Sequence, residues 1–172
     1  MPLNIREFKG RFKDSHPSTH YEVTVSPPSG GGSEIQLRTE SISIPGVAFF
    51  SVDNYSPYGN GLTYGIPYRY TPQEISMTHT VDEDGKILQI FRDWASFIVD
   101  LDGFEKYGAY YHEDYAVDMT VQLFNRKFKK TNKVKIYEAF PVVIDPVTMS
   151  WGDVDSISKL NVSYRFTRYS LA

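Results

Sequence analysis

The closing part of the chain alternates apolar and polar residues at every second position. In the segment LNVSYRFTRYSL, the side chains of Leu160, Val162, Tyr164 and Phe166 share one parity, and the other parity is polar or charged from Asn161 to Thr167. Successive side chains of a β-strand point to opposite faces, so this period of two predicts a strand with one buried face. The same alternation recurs in EISMTHTV (residues 74–81) and in YAVDMTVQLF (residues 115–124). A set of half-buried strands restricts the chain to a sheet-based fold.

A first hairpin is predicted near the beginning of the chain. The segment HYEVTVSP places Tyr21, Val23 and Val25 on one face, and the proline- and glycine-rich stretch SPPSGGGS (residues 26–33) ends that strand. The following segment, EIQLRTESISIPG, is interpreted as the returning strand, so the two form an antiparallel hairpin with a flexible tip. Its apolar residues change parity near Glu40, which predicts a β-bulge there.

One segment has helical rather than strand periodicity. In DEDGKILQIFRDWASFIVDLDG, apolar residues recur at intervals of three and four and form one broad stripe: Ile87, Leu88, Phe91, Trp94, Ala95 and Ile98. The carboxylates of residues 82–84 are predicted to cap the start of this helix, and Gly103 is predicted to follow its end. Strands on both sides of a single helix predict a mainly β fold of the α+β class. We expect an antiparallel barrel or sandwich with one flanking α-helix.

Composition and charge limit the function further. A chain of 172 residues is most simply one domain, here residues 1–172 with an N-terminal arm over residues 1–18. There is no cysteine, which excludes disulfides and thiolate metal sites. The formal net charge of −3 and a pI of about 5.8 argue against a dedicated nucleic-acid-binding domain. We expect no signal peptide, because the first residues lack an apolar core, and no apolar run is long enough to span a membrane.

Motifs for chemistry are missing from the sequence. The four histidines have no metal-ligand spacing, and the acidic segments DEDG (residues 82–85) and DLDG (residues 100–103) lack the remaining ligands of a calcium loop. No nucleophile motif or phosphate-binding glycine loop is present. The basic stretch NRKFKKTNK (residues 125–133) is interpreted as a solvated turn between two strands. We therefore predict no catalytic, cofactor or metal site. The histidines are His16, His20, His79 and His112.

Aromatic residues are concentrated in a long segment that has no clear periodicity. Residues 49–73 contain five tyrosines, three prolines and three glycines, and they are interpreted as a long irregular loop with a short extended piece near Tyr68–Tyr70. Disordered segments are poor in aromatic residues, whereas this one is rich in them. We therefore expect the loop to be ordered by packing, including packing against another subunit.

The C-terminal third resembles a known family. The segment YEAFPVVIDPVTMSWGDVDSISKLNVSYRFTRY is similar to the C-terminal signature of the tail tube proteins of contractile-tailed bacteriophages. That signature has an aromatic–proline turn, a short strand ending in Trp, a polar acidic turn and a final alternating strand. Phe140–Pro141, Met149–Trp151 and Leu160–Tyr169 match these features in order, and FRDW (residues 91–94) resembles the family's helix.

The resemblance implies a structural subunit rather than an enzyme. Family members are β-barrels with a flanking helix that form stacked six-membered rings around a lumen for the genome. The implied partners are identical copies, the tail sheath, the baseplate and the tape measure protein, with DNA in transit and no cofactor. The implied location is the tail of a virion assembled in the host cytoplasm. Predicted subunit contacts are Tyr55, Tyr58, Tyr64, Tyr68, Tyr70, Trp94 and Trp151.

Three alternatives remain open at this level. A tube-initiating baseplate protein, or a tube protein of a related injection machine, has the same fold and would match the same segments. Aromatic side chains on a monomeric β-domain could instead form a carbohydrate-binding module. Carboxylates from distant strands could also converge into a glycosidase-like site, which spacing alone does not reveal.

Overall fold

The computed structural model describes residues 16–55, 63–101, 111–152 and 157–172. Gly103 and Tyr58, both singled out by the sequence, lie outside these ranges, as does most of the predicted N-terminal arm. The described elements, in chain order, are β1 (Tyr21–Val25), α1 (Gly32–Arg38), β2 (Thr39–Ile42), β3 (Val47–Tyr55), β4 (Thr63–Pro72), β5 (Ile75–Thr80), α2 (Lys86–Ser96), α3 (His112–Tyr115), β6 (Val117–Phe124), β7 (Lys130–Ile144), β8 (Lys159–Arg165) and β9 (Arg168–Leu171).

Seven strands form one antiparallel sheet in the order β1-β6-β7-β8-β5-β2, with β9 also paired to β7. Strand β7 is 15 residues long and joins the two halves of the sheet. Its first part pairs with β6 and β9, and its last part pairs with β8. Glu138, between the two parts, has a φ of 55°, which a non-glycine residue adopts only rarely. The predicted mainly β fold is confirmed.

The alternating residues of the strands form a single core. Met119 and Val121 of β6 and Val162 and Tyr164 of β8 are buried, together with Ile75 and Met77 of β5. The predicted closing strand is therefore correct, except for a short interruption at Phe166 and Thr167 between β8 and β9. Of the basic turn predicted over residues 125–133, residues 125–129 connect β6 to β7, and the remaining residues are already part of β7. In the turn, the Asn125 side chain accepts hydrogen bonds from the backbone N–H groups of Lys127 and Lys129.

Helix α2 covers the core with the predicted apolar stripe. Ile87, Phe91 and Trp94 are buried beneath it. The Asp82 carboxylate accepts hydrogen bonds from the backbone N–H groups of Lys86 and Ile87, each at 3.0 Å. These bonds hold the pKa of Asp82 below its ordinary value, because they favour the charged form. The predicted acidic cap is thus present, although the helix begins only after Gly85.

The predicted first hairpin is wrong. β1 pairs with β6, and the segment after the glycine-rich turn is the helix α1 rather than a returning strand. A Cβ atom on Gly32 would lie 2.2 Å from the carbonyl oxygen of Val25, so the chain turns back too closely behind β1 for any other residue. Strand pairing resumes only in β2, against β5. The predicted bulge near Glu40 is present as a shift in register between Thr39 and Ser41.

The predicted irregular loop over residues 49–73 is also corrected. Its described residues belong to two strands, β3 and β4, which pair only with each other and form a separate two-stranded sheet. Within the described ranges, no helix is both long and apolar enough to cross a membrane.

Candidate assembly interface

The sheet formed by β3 and β4 is an antiparallel ribbon, here called the ribbon, that presents apolar side chains to solvent. Every residue of β4 from Thr63 to Tyr70 is exposed. The large exposed apolar side chains of the ribbon include Phe49, Phe50, Val52, Tyr64, Ile66, Tyr68 and Tyr70. Contiguous apolar surface of this kind is rare on monomers and marks an interaction site.

Both faces of the ribbon are apolar. Directly opposed residues of an antiparallel pair project to the same face, and Phe49 is opposite Tyr70 while Val52 is opposite Ile66. A shift in register between Phe50 and Ser51 inserts one extra residue into β4 at this point. An isolated two-stranded hairpin is only marginally stable in water. We therefore expect both faces to pack against further protein.

The base of the ribbon borders a small basic groove, here called the root groove. Its volume is about 220 Å³, and it lies between Arg69–Glu74 and Arg165–Thr167. The charged residues that line it are Arg69, Arg165 and Glu74. Neither guanidinium forms an ion pair with another residue in the described ranges. The root groove therefore offers positive charge beside the exposed rings of the ribbon.

A second exposed apolar feature is the loop between β7 and β8, here called the Trp151 loop. Met149, Trp151 and Ile157 are all strongly exposed, and the Trp151 side chain is fully accessible to solvent. The indole is the side chain with the largest apolar area and is normally buried in proteins and interfaces. Its complete exposure makes this loop a second candidate contact surface.

The main sheet also ends in two unpaired strands. Among the described strands, β1 pairs only with β6 and β2 only with β5, so their outer backbone groups have no ladder partner. An open groove of about 580 Å³ lies between them. The Tyr21 hydroxyl crosses it and donates a hydrogen bond to the carbonyl oxygen of Glu40 at 2.5 Å. Unpaired edges of this kind are templates for pairing with another chain.

A comparison with protein families identifies the chain. The family model described as phage tail tube protein matches residues 15–172. The chain belongs to this phage tail tube protein family. Membership implies a component of the virion tail. A search of curated proteins found no match.

Solved structures show the same fold as this tail tube family member. A chain in the cryo-EM structure of the anti-feeding prophage baseplate has a TM-score of 0.71 at 8% identity, covering 94% of this chain and 97% of that chain. A chain in the sheath–tube complex of the PVC extracellular contractile injection system, in the extended state, has a TM-score of 0.65 at 14% identity, covering 99% and 98%. A chain in the tube-terminating cap of the anti-feeding prophage has a TM-score of 0.66 at 14% identity, covering 94% and 93%.

The structure places the predicted contact residues in different environments. Tyr64, Tyr68 and Tyr70 are exposed on the ribbon, and Trp151 is exposed on its loop. Tyr55 is the last residue of β3, and Tyr58 lies outside the described residues. The prediction for Trp94 is contradicted, since this side chain is completely buried inside its own chain and has no surface to offer a neighbour.

The sequence reasoning missed several apolar residues of the candidate interface. Phe49, Phe50, Val52 and Ile66 lie on the ribbon, and Met149 lies beside Trp151. One signal was available in the sequence. Two runs rich in aromatic and β-branched residues flank the turn-forming stretch SPYGNG, which is typical of a hairpin.

The two tryptophans of this tail tube family member provide a matched test. The Trp94 indole N–H donates a hydrogen bond to the carbonyl oxygen of Tyr115 at 2.9 Å, and its ring lies 5.9 Å from that of Tyr164. Trp94→Phe leaves that partly buried carbonyl without its donor and removes part of a completely buried ring, so we expect the free energy of unfolding to fall by about 1–3 kcal/mol. Trp151→Phe should change it by less than about 0.5 kcal/mol, as exposed sites usually do. Urea unfolding of dilute protein measures both values, and equal losses would contradict this assignment.

Proposed function

We propose that this protein is the tube subunit of a contractile phage tail, in which identical copies form six-membered rings that stack around a lumen for DNA. The observation that carries the proposal is the ribbon, whose two apolar faces are exposed in the subunit. Membership of the tail tube family supports a role in a tube. The number of subunits in a ring and the passage of DNA go beyond that membership.

Two kinds of contact are needed to build such a tube. Lateral contacts close a ring, and the unpaired edges of β1 and β2 are suited to them, because strand edges pair with strands of another chain. Axial contacts must be heterologous, since only a head-to-tail contact that does not close on itself allows open-ended growth. The exposed ribbon and the Trp151 loop supply apolar area for contacts outside the sheet edges.

Electron microscopy tests the proposal directly. We expect the purified full-length chain, when concentrated, to form rings and rods visible in negative stain, with the corresponding fast-sedimenting species in analytical ultracentrifugation. A single-copy species that persists at high concentration would contradict the tube assignment. Glycan binding by such a monomer would favour the carbohydrate-binding alternative instead.

A tube initiator or terminator is the second candidate. The fold likeness to chains in a baseplate and in a tube-terminating cap supports an initiator or terminator. The fold likeness to a chain in a sheath–tube complex supports a propagating subunit to the same degree. The two differ in growth. A propagating subunit gives rods with a broad distribution of lengths, whereas an initiator alone stops at single rings.

In the proposed tail, the sheath, the baseplate and the tape measure protein are the further partners, and assembly takes place in the host cytoplasm.

A further inference from the structure

The turn between β6 and β7 and the first part of β7 form a strongly basic surface, here called the basic hairpin (residues 125–135). It contains six of the 18 basic residues of the chain, although the whole chain has a formal net charge of −3. No aspartate or glutamate occurs between Met119 and Tyr137, so neighbours in the sequence leave this positive charge unbalanced. The six basic residues are Arg126, Lys127, Lys129, Lys130, Lys133 and Lys135.

The fold does not neutralise the five lysines of the basic hairpin. None of them forms an ion pair with another residue in the described ranges. Four are exposed, and Lys133 is half-buried. Beyond β6, strand β1 contributes one carboxylate, that of Glu22, which accepts a hydrogen bond from the side-chain amide of Gln36 at 2.8 Å. Uncompensated charge of one sign attracts a ligand of the opposite sign, so the basic hairpin is a candidate site for a polyanion.

The turn of the basic hairpin has a fixed conformation. The Asn125 N–H donates a hydrogen bond to the carbonyl oxygen of Lys129 at 3.0 Å, and the Phe128 N–H donates to the carbonyl oxygen of Asn125 at 2.9 Å. Phe128 has a φ of 54°, a left-handed conformation that a bulky residue adopts only at an energetic cost. Strain of this kind clusters at ligand-binding sites, where it fixes the geometry before the ligand arrives.

The strained residue also presents an aromatic ring among the lysines. The Phe128 side chain is 72% exposed, and its ring centroid lies 4.6 Å from that of His20, which supports the ring from one side. Exposed rings within a basic surface are the groups on which proteins stack the bases of nucleic acids. The turn thus combines positive charge with a ring that is open to a ligand.

The positive charge continues along the outer face of the sheet. Lys133 and Lys135 have the parity opposite to the buried residues of β7, and they lie about 7 Å apart along the strand. Arg168 of β9 is opposite Tyr137, and its guanidinium carbon lies 4.5 Å from the centre of that ring. The row from the turn to Arg168 is about 25 Å long. Each DNA strand carries one phosphate per 3.4 Å of helix axis, so alternate phosphates recur at about the spacing of the two lysines.

We propose that the basic hairpin binds the phosphate backbone of DNA. Lysine acts as a point charge on phosphate, whereas arginine is favoured where a carboxylate is recognised through two parallel hydrogen bonds. Five of the six basic residues are lysines, which favours a uniform polyanion over a specific acidic protein surface. Salt screens the acidic remainder of the chain over about 10 Å at 0.1 M, so the local charge governs the contact. Such binding is independent of base sequence and lets DNA slide. The inference goes beyond the proposed tube function, because it concerns the single subunit.

The salt dependence of DNA binding tests the proposal. Fluorescence anisotropy of a short labelled DNA duplex is measured with dilute full-length protein over a range of salt concentrations. About four phosphate contacts predict that the logarithm of the association constant falls with the logarithm of the salt concentration with a slope of about −3.6. The variant Lys127→Gln/Lys129→Gln removes two contacts, so we expect weaker binding and a slope that is smaller in magnitude by about two.

The variant Arg69→Gln/Arg165→Gln is the matched control, because it removes two positive charges from exposed positions of the root groove. It should leave the slope unchanged, and urea unfolding checks the fold of each variant. If Lys127→Gln/Lys129→Gln does not fold, Lys133→Gln/Lys135→Gln takes its place.

Three results overturn the proposal. They are no binding by the wild type at low salt, an equal reduction of the slope in the control, and displacement of the duplex by polyglutamate as effectively as by unlabelled DNA of equal charge. The last result would assign the surface to an acidic protein instead. None of them bears on the tube function, which electron microscopy of concentrated protein tests separately.

Discussion

Replacement of Phe49 by serine is expected to abolish long tubes and to leave the folded subunit intact. Phe49 is opposite Tyr70 in the ribbon, and its side chain is 70% exposed in the subunit. Burial of such a ring in a contact between copies is worth about 2 kcal/mol. In the proposed tube, this contact recurs at every subunit of a ring, so the free energy lost per contact is multiplied by the number of subunits. The equilibrium therefore moves strongly from tubes to free rings or subunits.

The chain contains a matched control for this variant. Phe128 is 72% exposed but lies in the turn between β6 and β7, where its ring packs against His20 of the same chain at 4.6 Å. Phe128→Ser removes an equally accessible phenylalanine and should leave tube length unchanged. Negative-stain electron microscopy measures the lengths, and urea unfolding of dilute protein checks the fold. Phe49→Ser tubes of wild-type length would contradict the role of the ribbon, as would an equal loss in both variants.

The sequence predicted those elements whose two faces have different environments. β5, β6 and β8 each have one face in the core and one outside, so selection for burial leaves an alternating pattern. The same reasoning applies to α2, whose apolar stripe faces the core. The stripe places Trp94 on the buried side of the helix, which is where the structure has it. The helical periodicity is therefore the better guide to Trp94 than its prediction as a subunit contact.

The two wrong secondary-structure predictions concern segments in which a local sequence pattern does not decide the conformation. In α1, Ile35 is buried and Leu37 is exposed, but their spacing of two also fits a strand, and seven residues are too few to establish a helical period. The close approach of Gly32 to the backbone of Val25 is compatible only with glycine, but the strand and helix interpretations both leave room for a glycine there. In the ribbon, both faces are exposed in the single subunit, so no alternation marks its strands. In the proposed tube, its apolar residues on both faces would be covered by neighbouring copies.

His79 is expected to make the subunit lose stability in mild acid. Its side chain is completely buried, and its Nδ1 lies 3.2 Å from the Thr39 hydroxyl. That hydroxyl has a single proton, which it donates to the carbonyl oxygen of Ile35 at 2.6 Å, so the imidazole must donate its own Nδ1–H to Thr39. Nε2 is then an unprotonated acceptor, buried without a partner among the described residues and beside the ring of Phe91.

Protonation of Nε2 would place a positive charge in this core, and burial therefore lowers the pKa of His79 from 6.5 to about 4. The unfolded chain binds the proton near pH 6.5 and the native protein only near pH 4, so the stabilisation is complete above pH 6.5 and is lost as the pH falls towards 4. This difference in pKa corresponds to about 3 kcal/mol in the free energy of unfolding. Acid can thus weaken the subunit without touching any interface.

The variant His79→Leu isolates this contribution, because leucine has a similar volume and no titratable group. Urea unfolding of dilute wild-type and variant protein between pH 7.5 and pH 4.5 gives the two pH profiles, and carboxylates that titrate in both proteins cancel in their difference. We expect the wild type to lose about 2–3 kcal/mol more than the variant over this range. Parallel profiles would show that the native protein accommodates the protonated imidazole, which would contradict the lowered pKa of His79.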